Sequence, residues 1–198
     1  MKDVMLSIHP AHVENICTVI GEKNGKPIYK KSIEVRKSRP KIETPFRVFI
    51  YMTAGNASYP IKIDGYPYMC HNNGGQDVIG EFVCDRIDEY LCKEYEWEDG
   101  DVSLEYRIRS VEGEKTCLDY DEIREYGNEK PLYFWHISDL KIYDKPKKLS
   151  EFYTRCNISE NKCKLCDDCF DREDSYGRHY AVKKIIRPPQ SWCYVEGE

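Results

Sequence analysis

The sequence predicts an α+β protein in which a small mixed β-barrel or curled sheet is flanked by helices. Five or six short segments have the composition of strands, and two segments show a helical period. The two kinds do not alternate regularly, as they would in a doubly wound sheet. The 198 residues, 40% of them hydrophobic, suffice for one main core and an appendage. We expect a domain over residues 1–150 and a cysteine-rich extension over residues 151–198.

The first elements are a short strand from Val4 to Ile8 and a helix with Pro10 in its first turn, where proline is tolerated. Gly21 is the expected C-cap of this helix. A spacing of i, i+3, i+4 and i+7 gives it one apolar face, formed by Val13, Ile16, Cys17 and Ile20.

An extended segment follows from Ile28 to Arg36, in which Glu34 and Arg36 share one face. The run from Arg47 to Thr53 is apolar on both faces, which predicts a central strand. The stretch from Ala54 to Gly75 has the composition of a long loop, with a turn at Asp64-Gly65.

The second half of the chain predicts one more helix, from Cys117 to Tyr126, capped by Thr116 and stopped by Gly127. Further strands are predicted at Val78–Cys84, Val102–Val111, Leu132–Ile137 and Leu140–Tyr143.

Charge is distributed unevenly along the chain, whose formal net charge is −5. Residues 22–41 carry eight basic and two acidic side chains, whereas residues 77–129 carry 18 acidic and six basic ones. The net charge argues against a generic nucleic-acid binder. A basic patch on an acidic body can nevertheless steer an anionic ligand to one face, and the alternative is a solvated basic hairpin.

Four cysteines in the extension have metal-ligand spacing: Cys156, Cys163, Cys166 and Cys169. Two-residue spacers let thiolates converge, as in tetrahedral zinc sites, so a structural zinc is predicted. His179 or Cys193 is a candidate replacement for one ligand. An iron–sulfur cluster and free or redox-active thiols remain alternatives, although the residues typical of a ferredoxin run are missing.

No apolar run approaches the ~20 residues of a membrane-spanning helix, and the N-terminus does not resemble a signal peptide. We therefore expect a cytoplasmic protein in a reducing compartment, with no membrane partner.

Lys31, Glu34 and Arg36 form a charged constellation on the predicted extended segment. Lysine and arginine can donate to phosphates or carbonyls, and a carboxylate between them can accept a proton or fix their geometry. Three charged residues on a strand are, taken alone, more often a solvated face.

The pattern K-x-x-E-x-R, preceded by a strand, a Pro-bearing turn and a helix, resembles ASCH-type domains of the PUA-like superfamily. Their motif is G-x-K-x-x-E-x-R. Lys31, Glu34 and Arg36 match it, and Tyr29 occupies the position of the motif's glycine. The C-terminal extension is similar to that of small phage and firmicute proteins sharing the domain.

The resemblance implies a PUA-like barrel whose cleft handles RNA or modified nucleosides. Some ASCH-type proteins are ribonucleases, and a related branch consists of amidohydrolases of acetylated cytidine. That branch uses Lys, Thr and Glu, and because Glu34 stands at the threonine position the nucleophilic hydroxyl is absent.

We therefore expect an RNA or nucleotide-like ligand bound through Lys31, Glu34 and Arg36, with Lys37 as a further ligand-binding candidate. Trp135 and His136 are candidates for lining a base-stacking pocket, and plain core packing is the alternative. If the cleft is catalytic, Lys31, Glu34 and Glu81 are the candidates, with Glu34 or Glu81 as general base. A third hypothesis is a protein-interaction or inhibitor module that uses the acidic 77–129 surface as a nucleic-acid mimic.

Overall fold

The computed structural model describes residues 2–53, 61–63, 66–68, 77–96, 102–156, 169–173 and 179–196. Within these residues the helices are α1 (Pro10–Cys17), α2 (Ser110–Glu114) and α3 (Tyr120–Gly127), and a 3-10 turn spans Leu149–Glu151. The strands are β1 (Lys2–Ile8), β2 (Val19–Lys23), β3 (Lys26–Tyr29), β4 (Ile33–Arg36), β5 (Phe46–Met52), β6 (Ile61–Ile63), β7 (Tyr66–Tyr68), β8 (Asp77–Tyr90), β9 (Cys92–Glu96), β10 (Val102–Tyr106), β11 (Leu132–Lys148), β12 (Tyr153–Arg155), β13 (Cys169–Glu173), β14 (His179–Lys184) and β15 (Trp192–Glu196). The fold is thus mostly β.

A six-stranded sheet in the order β15-β1-β5-β8-β11-β4 forms the centre of the fold. Only β1 and β5 pair in parallel, and every other neighbouring pair in this sheet is antiparallel. The predicted barrel is wrong, because the edge strands β15 and β4 do not pair with each other, as barrel closure requires. The outer edge of β4 is instead covered by the chain before α3, where Lys115 O accepts from the backbone N–H groups of Ser32 and Ile33.

Both faces of the central strands are buried, as the apolar run in β5 predicts. On one face, Val48 and Ile50 pack in a core cluster with Val13 and Ile16 of α1. On the other face, Phe49 and Tyr51 pack with Leu149, Phe152, Ile185 and Val195 of the C-terminal region. The hydrophobic effect therefore holds helix, sheet and C-terminal segment in one layered structure.

The prediction for the first helix is correct at its start and wrong at its end. His9 is the N-cap and Pro10 the first residue, but α1 ends at Cys17 with Thr18 as its C-cap. Ile20, assigned to the apolar face, lies in β2 and is 62% exposed. The chain leaves the helix because it enters the β2–β3 hairpin, whose turn at Asn24-Gly25 has positive φ at both residues.

The predicted boundaries in the second half also change. The strand predicted to reach Val111 ends at Tyr106, because Ser110 begins α2. Asp119 caps α3 through a capping box with Glu122, so Thr116 is not its cap. Leu132–Ile137 and Leu140–Tyr143 are parts of one strand, β11, which follows β8 through three register shifts.

Several strands were not predicted from the sequence, among them β2, β9 and the strands of two further regions. The hairpin β6–β7 lies inside the predicted 54–75 loop, and the turn predicted at 64–65 lies outside the described residues. In the C-terminal region, β12, β14 and β13 form a three-stranded sheet, and β15 joins the main sheet beside β1. Residues 151–198 thus contribute directly to the main sheet.

In the part of the chain that the structure describes, every helix is too short or too polar to cross a bilayer.

We expect Gly80→Ala to destabilise the protein by about 1–3 kcal/mol, the usual cost of overpacking. A Cβ at this position would lie 2.5 Å from the carbonyl oxygen of Lys141 on the neighbouring strand β11. Urea unfolding measures the effect. Gly21→Ala is the matched control, because the nearest atom to its added Cβ is Ile28 Cδ1 at 3.9 Å. Equal stabilities of the two variants would contradict the close packing of β8 and β11.

Candidate functional site

An open cleft of about 300 Å³ lies where β1, α1, β4 and α3 meet. Its walls come from five separate parts of the chain and are formed by Ser7, His9, His12, Lys31, Glu34, Val35, Arg36, Thr53, Leu118, Glu122, Tyr126 and Gln190. All three residues of the K-x-x-E-x-R motif line it. The structure therefore brings the sequence-predicted constellation together at a cavity.

The motif residues form a buried charge triad. Glu34 Oε2 lies 2.8 Å from Lys31 Nζ, and Glu34 Oε1 lies 2.8 Å from Arg36 Nη2. The exposed fractions of the side chains are 1% for Lys31, 5% for Glu34 and 11% for Arg36. Two cations facing one carboxylate give the triad a net charge of +1, which favours an anionic or electron-rich ligand beside it. Glu122, the other acidic residue of the lining, accepts a hydrogen bond from the Asp119 backbone N–H in the capping box of α3.

The alternation of β4 orients the triad. Ile33 and Val35 point into a separate apolar cluster, so Glu34 and Arg36 point to the opposite face. Lys31 lies before the strand, where its backbone N–H donates to Asn15 O of α1 at 3.0 Å. The strand's parity and the anchor on α1 together bring Lys31 and Arg36 to the same carboxylate.

Glu34 is held in its ionised form. Burial alone would raise the pKa of Glu34, but the charges of Lys31 and Arg36 outweigh burial, so this pKa lies below its ordinary value of 4.5. A carboxylate bound by two cations is a weak proton acceptor at neutral pH. Glu34 is therefore better suited to positioning Lys31 and Arg36 than to general-base chemistry.

His12 is a site residue that the sequence analysis missed. Burial and the nearby charge of Lys31 lower the pKa of His12 below 6.5, so its imidazole is neutral at pH 7. Its Nδ1 is buried and makes no hydrogen bond to any described residue. The sequence did contain one indication that His12 lies near the core, because it directly precedes Val13, the first residue of the apolar face of α1.

Tyr126 and Gln190 were also missed, because long-range packing brings them to the cleft. Tyr126 lies on α3 and remains 37% exposed at the cleft wall. Gln190 is placed by the segment before β15, where the hydroxyl of Ser7 donates to Pro189 O at 2.7 Å and the Ser7 N–H donates to Ser191 O at 2.9 Å. No local sequence pattern encodes these contacts.

Glu81, the other candidate general base, lies on β8 and is not among the residues that line the cleft. Its Oε2 accepts a hydrogen bond from the Tyr143 hydroxyl at 2.6 Å and lies 4.0 Å from Arg47 Nη1. The structure separates it from the Lys31–Glu34–Arg36 triad, and its catalytic role stays a prediction.

Trp135 and His136 lie away from the cleft walls. Trp135 is fully buried, with ring centroids 5.8 Å from Phe46 and 6.3 Å from Trp192, so in this structure it is a core residue and offers no open face to a base. His136 is 15% exposed, and its Nε2 lies 2.8 Å from Asp88 Oδ2.

His136 belongs to a polar cluster centred on Arg86. Arg86 Nη2 lies 3.0 Å from Asp88 Oδ2, 3.3 Å from Glu112 Oε1 and 2.9 Å from His136 Nε2. Asp88, Glu112 and His136 could hold a metal ion, but the Arg86 guanidinium already lies between their ligand atoms. Arg109 and the Tyr90 hydroxyl also bind Glu112. The two arginines therefore balance the charges of the two carboxylates. The cluster as a whole connects β8, α2 and β11.

The predicted zinc site falls largely outside the described residues, which include neither Cys163 nor Cys166. Cys156 directly follows β12 and Cys169 begins β13, and these strands flank the central strand β14. Burial raises the pKa of Cys193 to about 11, which disfavours the thiolate needed for a metal ligand. Zinc binding stays a prediction.

We expect Glu34→Gln to destabilise the protein by about 3–5 kcal/mol at pH 7, because it leaves two buried cations without a counter-charge. Since the folded-state pKa of Glu34 is depressed, its stabilising effect is present above pH 4.5 and is lost as the pH falls through the lower folded-state value. The gap between the free energies of unfolding of wild type and variant, measured with urea, should therefore shrink as the pH falls below 4.5. Glu14→Gln, on the exposed side of α1, is the control. A pH-independent gap would contradict the ionised triad.

Comparison with known proteins supports the fold. No protein-family model and no curated protein matches the sequence. A crystal structure of ASCH from Zymomonas mobilis superposes with a TM-score of 0.53 at 15% identity, covering 98% of this chain and 87% of that one. A tyrosine-to-phenylalanine mutant of the same protein gives a TM-score of 0.50 at 14% identity, covering 99% and 91%. The fold of this chain is therefore of the ASCH type.

Proposed function

We propose that the cleft binds one nucleotide unit of an RNA or a modified nucleotide. The observation that carries this proposal is the Lys31–Glu34–Arg36 triad, which places two buried cations around one carboxylate at an open cavity. Burying charged side chains costs several kcal/mol in desolvation. Clusters of strongly perturbed charged groups are typical of functional sites, which supports a ligand-binding role for the triad. The likeness to ASCH structures agrees with this proposal at the level of fold.

The volume and chemistry of the cleft fit a single base with its sugar. About 300 Å³ is at the small end of ligand pockets, too little for a duplex. Arg36 Nε is buried without a hydrogen-bond partner among the described residues, as is His12 Nδ1. The Tyr126 ring at the wall provides an aromatic face for stacking. Proteins hold unstacked bases by hydrogen bonds to their edges and by stacking on aromatic rings. Arg36 and His12 can provide the hydrogen bonds, and Tyr126 can provide the ring.

A hydrolase at the same cleft is the second candidate, and the state of His12 favours it. A neutral imidazole beside two cations can take a proton from an attacking water, while Lys31 and Arg36 stabilise the negative charge that develops on the substrate. Glu34 then orients the cations. The nucleic-acid-mimic hypothesis for the acidic 77–129 surface stays a prediction.

We expect Arg36→Ala to weaken binding of a fluorescein-labelled eight-nucleotide single-stranded RNA about 10- to 100-fold, since charge-assisted hydrogen bonds contribute about 1.5–3 kcal/mol. Fluorescence anisotropy at 50 mM salt measures the change. Arg36→Lys, which keeps the charge, should lose less. Lys23→Ala, in the exposed β2–β3 hairpin, is the charge-matched control. An Arg36→Ala protein with wild-type thermal stability and wild-type affinity would overturn the proposal.

If the cleft hydrolyses RNA or an acylated nucleoside, His12→Gln should abolish turnover. Because the pKa of His12 lies below 6.5, the wild-type rate should be half-maximal below pH 6.5 and should rise to a plateau as the pH increases to 8. Product release from labelled RNA and from N-acetylcytidine measures turnover. A rate that instead depends on Glu34 alone would assign the general base to that carboxylate.

A further inference from the structure

A second cavity, the basic groove, lies beside the cleft. It has a volume of about 820 Å³ and is formed by the 37–44 segment together with Ile87 and Tyr133. It is more than twice as large as the cleft. The groove begins at Lys37, the residue directly after Arg36 of the triad.

The groove carries an excess of two positive charges. Lys37, Arg39 and Lys41 line it, and Glu43 is the only acidic residue among its described lining residues. Arg36 is paired with Glu34, whereas none of the three groove cations lies within 4.0 Å of a carboxylate in the described part of the chain. Such cations are available to an external anion.

The wall between groove and cleft is shared. Lys37 Nζ lies 4.8 Å from the centroid of the Tyr126 ring, and Tyr126 lines the cleft. Because Lys37 covers one face of this ring, a ligand that stacks on Tyr126 uses the other face, and the first cation of the groove lies across the ring from it.

The groove is held in shape by β15. Trp192 Nε1 donates to Ser38 Oγ at 2.9 Å, and the Tyr194 hydroxyl accepts from Lys41 N–H at 2.6 Å. Both aromatic residues belong to the edge strand of the main sheet. The 37–41 segment is thus fixed by the sheet before a ligand arrives, which lowers the ordering cost of binding.

We propose that the basic groove binds the sugar-phosphate backbone of single-stranded RNA while one base of that strand enters the cleft. This inference rests on the proposed function and narrows the ligand to a polynucleotide. Phosphates neutralise the cations, and the apolar surfaces of Ile87 and Tyr133 contact sugars or bases. A single strand is required, because a base reaches the cleft only when it is unpaired and unstacked.

The test uses the fluorescein-labelled eight-nucleotide RNA and, as competitors, the four ribonucleoside 5′-monophosphates. The double variant Arg39→Ala/Lys41→Ala should weaken RNA binding about tenfold or more at 50 mM salt. It should also reduce the slope of log K against log salt by about 1.4, the value for two phosphate contacts in a single strand. The factor by which the double variant weakens RNA binding should exceed the factor for monophosphate binding about tenfold. Lys23→Ala/Lys26→Ala, with the same charge change in the β2–β3 hairpin, is the control.

The outcomes separate the two proposals. If the groove variant loses no more RNA affinity or salt slope than the hairpin control, while Arg36→Ala still weakens binding, the groove inference is overturned and the cleft proposal stands. If RNA affinity depends on the groove but neither Arg36→Ala nor any monophosphate affects it, the cleft proposal fails. The inference that one base enters the cleft while the groove binds the backbone then fails as well. If neither RNA nor monophosphate binds at 50 mM salt, both fail.

Discussion

The ion pairs of Glu34 with Lys31 and Arg36 are the constraint around which the rest of the site is arranged. A carboxylate at 5% exposure is tolerated only with counter-charges at hydrogen-bonding distance, and each cation needs the same carboxylate. Arg36 is further held because its Nη2 donates to Ser7 O at 2.8 Å. The triad thus ties β4 to the end of β1 and, through the backbone of Lys31, to α1. The cleft is the space left open where these elements meet.

The C-terminal strand β15 links the fold to the site. Its register with β1 places Trp192 opposite Leu6 and Tyr194 opposite Val4. Both side chains hydrogen-bond to the 37–41 segment that lines the basic groove. The segment before it carries Gln190 into the cleft by bonding to Ser7. Packing of Val195 in the core makes this arrangement part of the folded state. A region that looks like an appendage in sequence therefore supports both cavities.

The fold was predictable where a local period matches a buried face. Val13 and Ile16 of α1 and the continuous apolar run of β5 are buried as expected, because burial of these faces decides the local structure. Predictions failed where tertiary context overrides local preference. Ile20 continues the helical period but lies in a hairpin, and Thr116 resembles a cap although Asp119 performs that role. Barrel closure also could not be judged from strand patterns, since it depends on how the edge strands meet.

The sequence by itself determined that Glu34 and Arg36 share one face, because alternate residues of a strand point to the same side. The tertiary contact of Lys31 with Asn15 of α1 completes the triad. The sequence also determined that the basic residues after Arg36 follow directly in the chain. Tertiary structure alone decided that Trp135 is buried core, that Glu81 lies away from the cleft, and that His12, Tyr126 and Gln190 belong to it. The physical reason is that these positions are set by long-range packing and by hydrogen bonds such as that of Ser7 to Pro189, which no local period encodes.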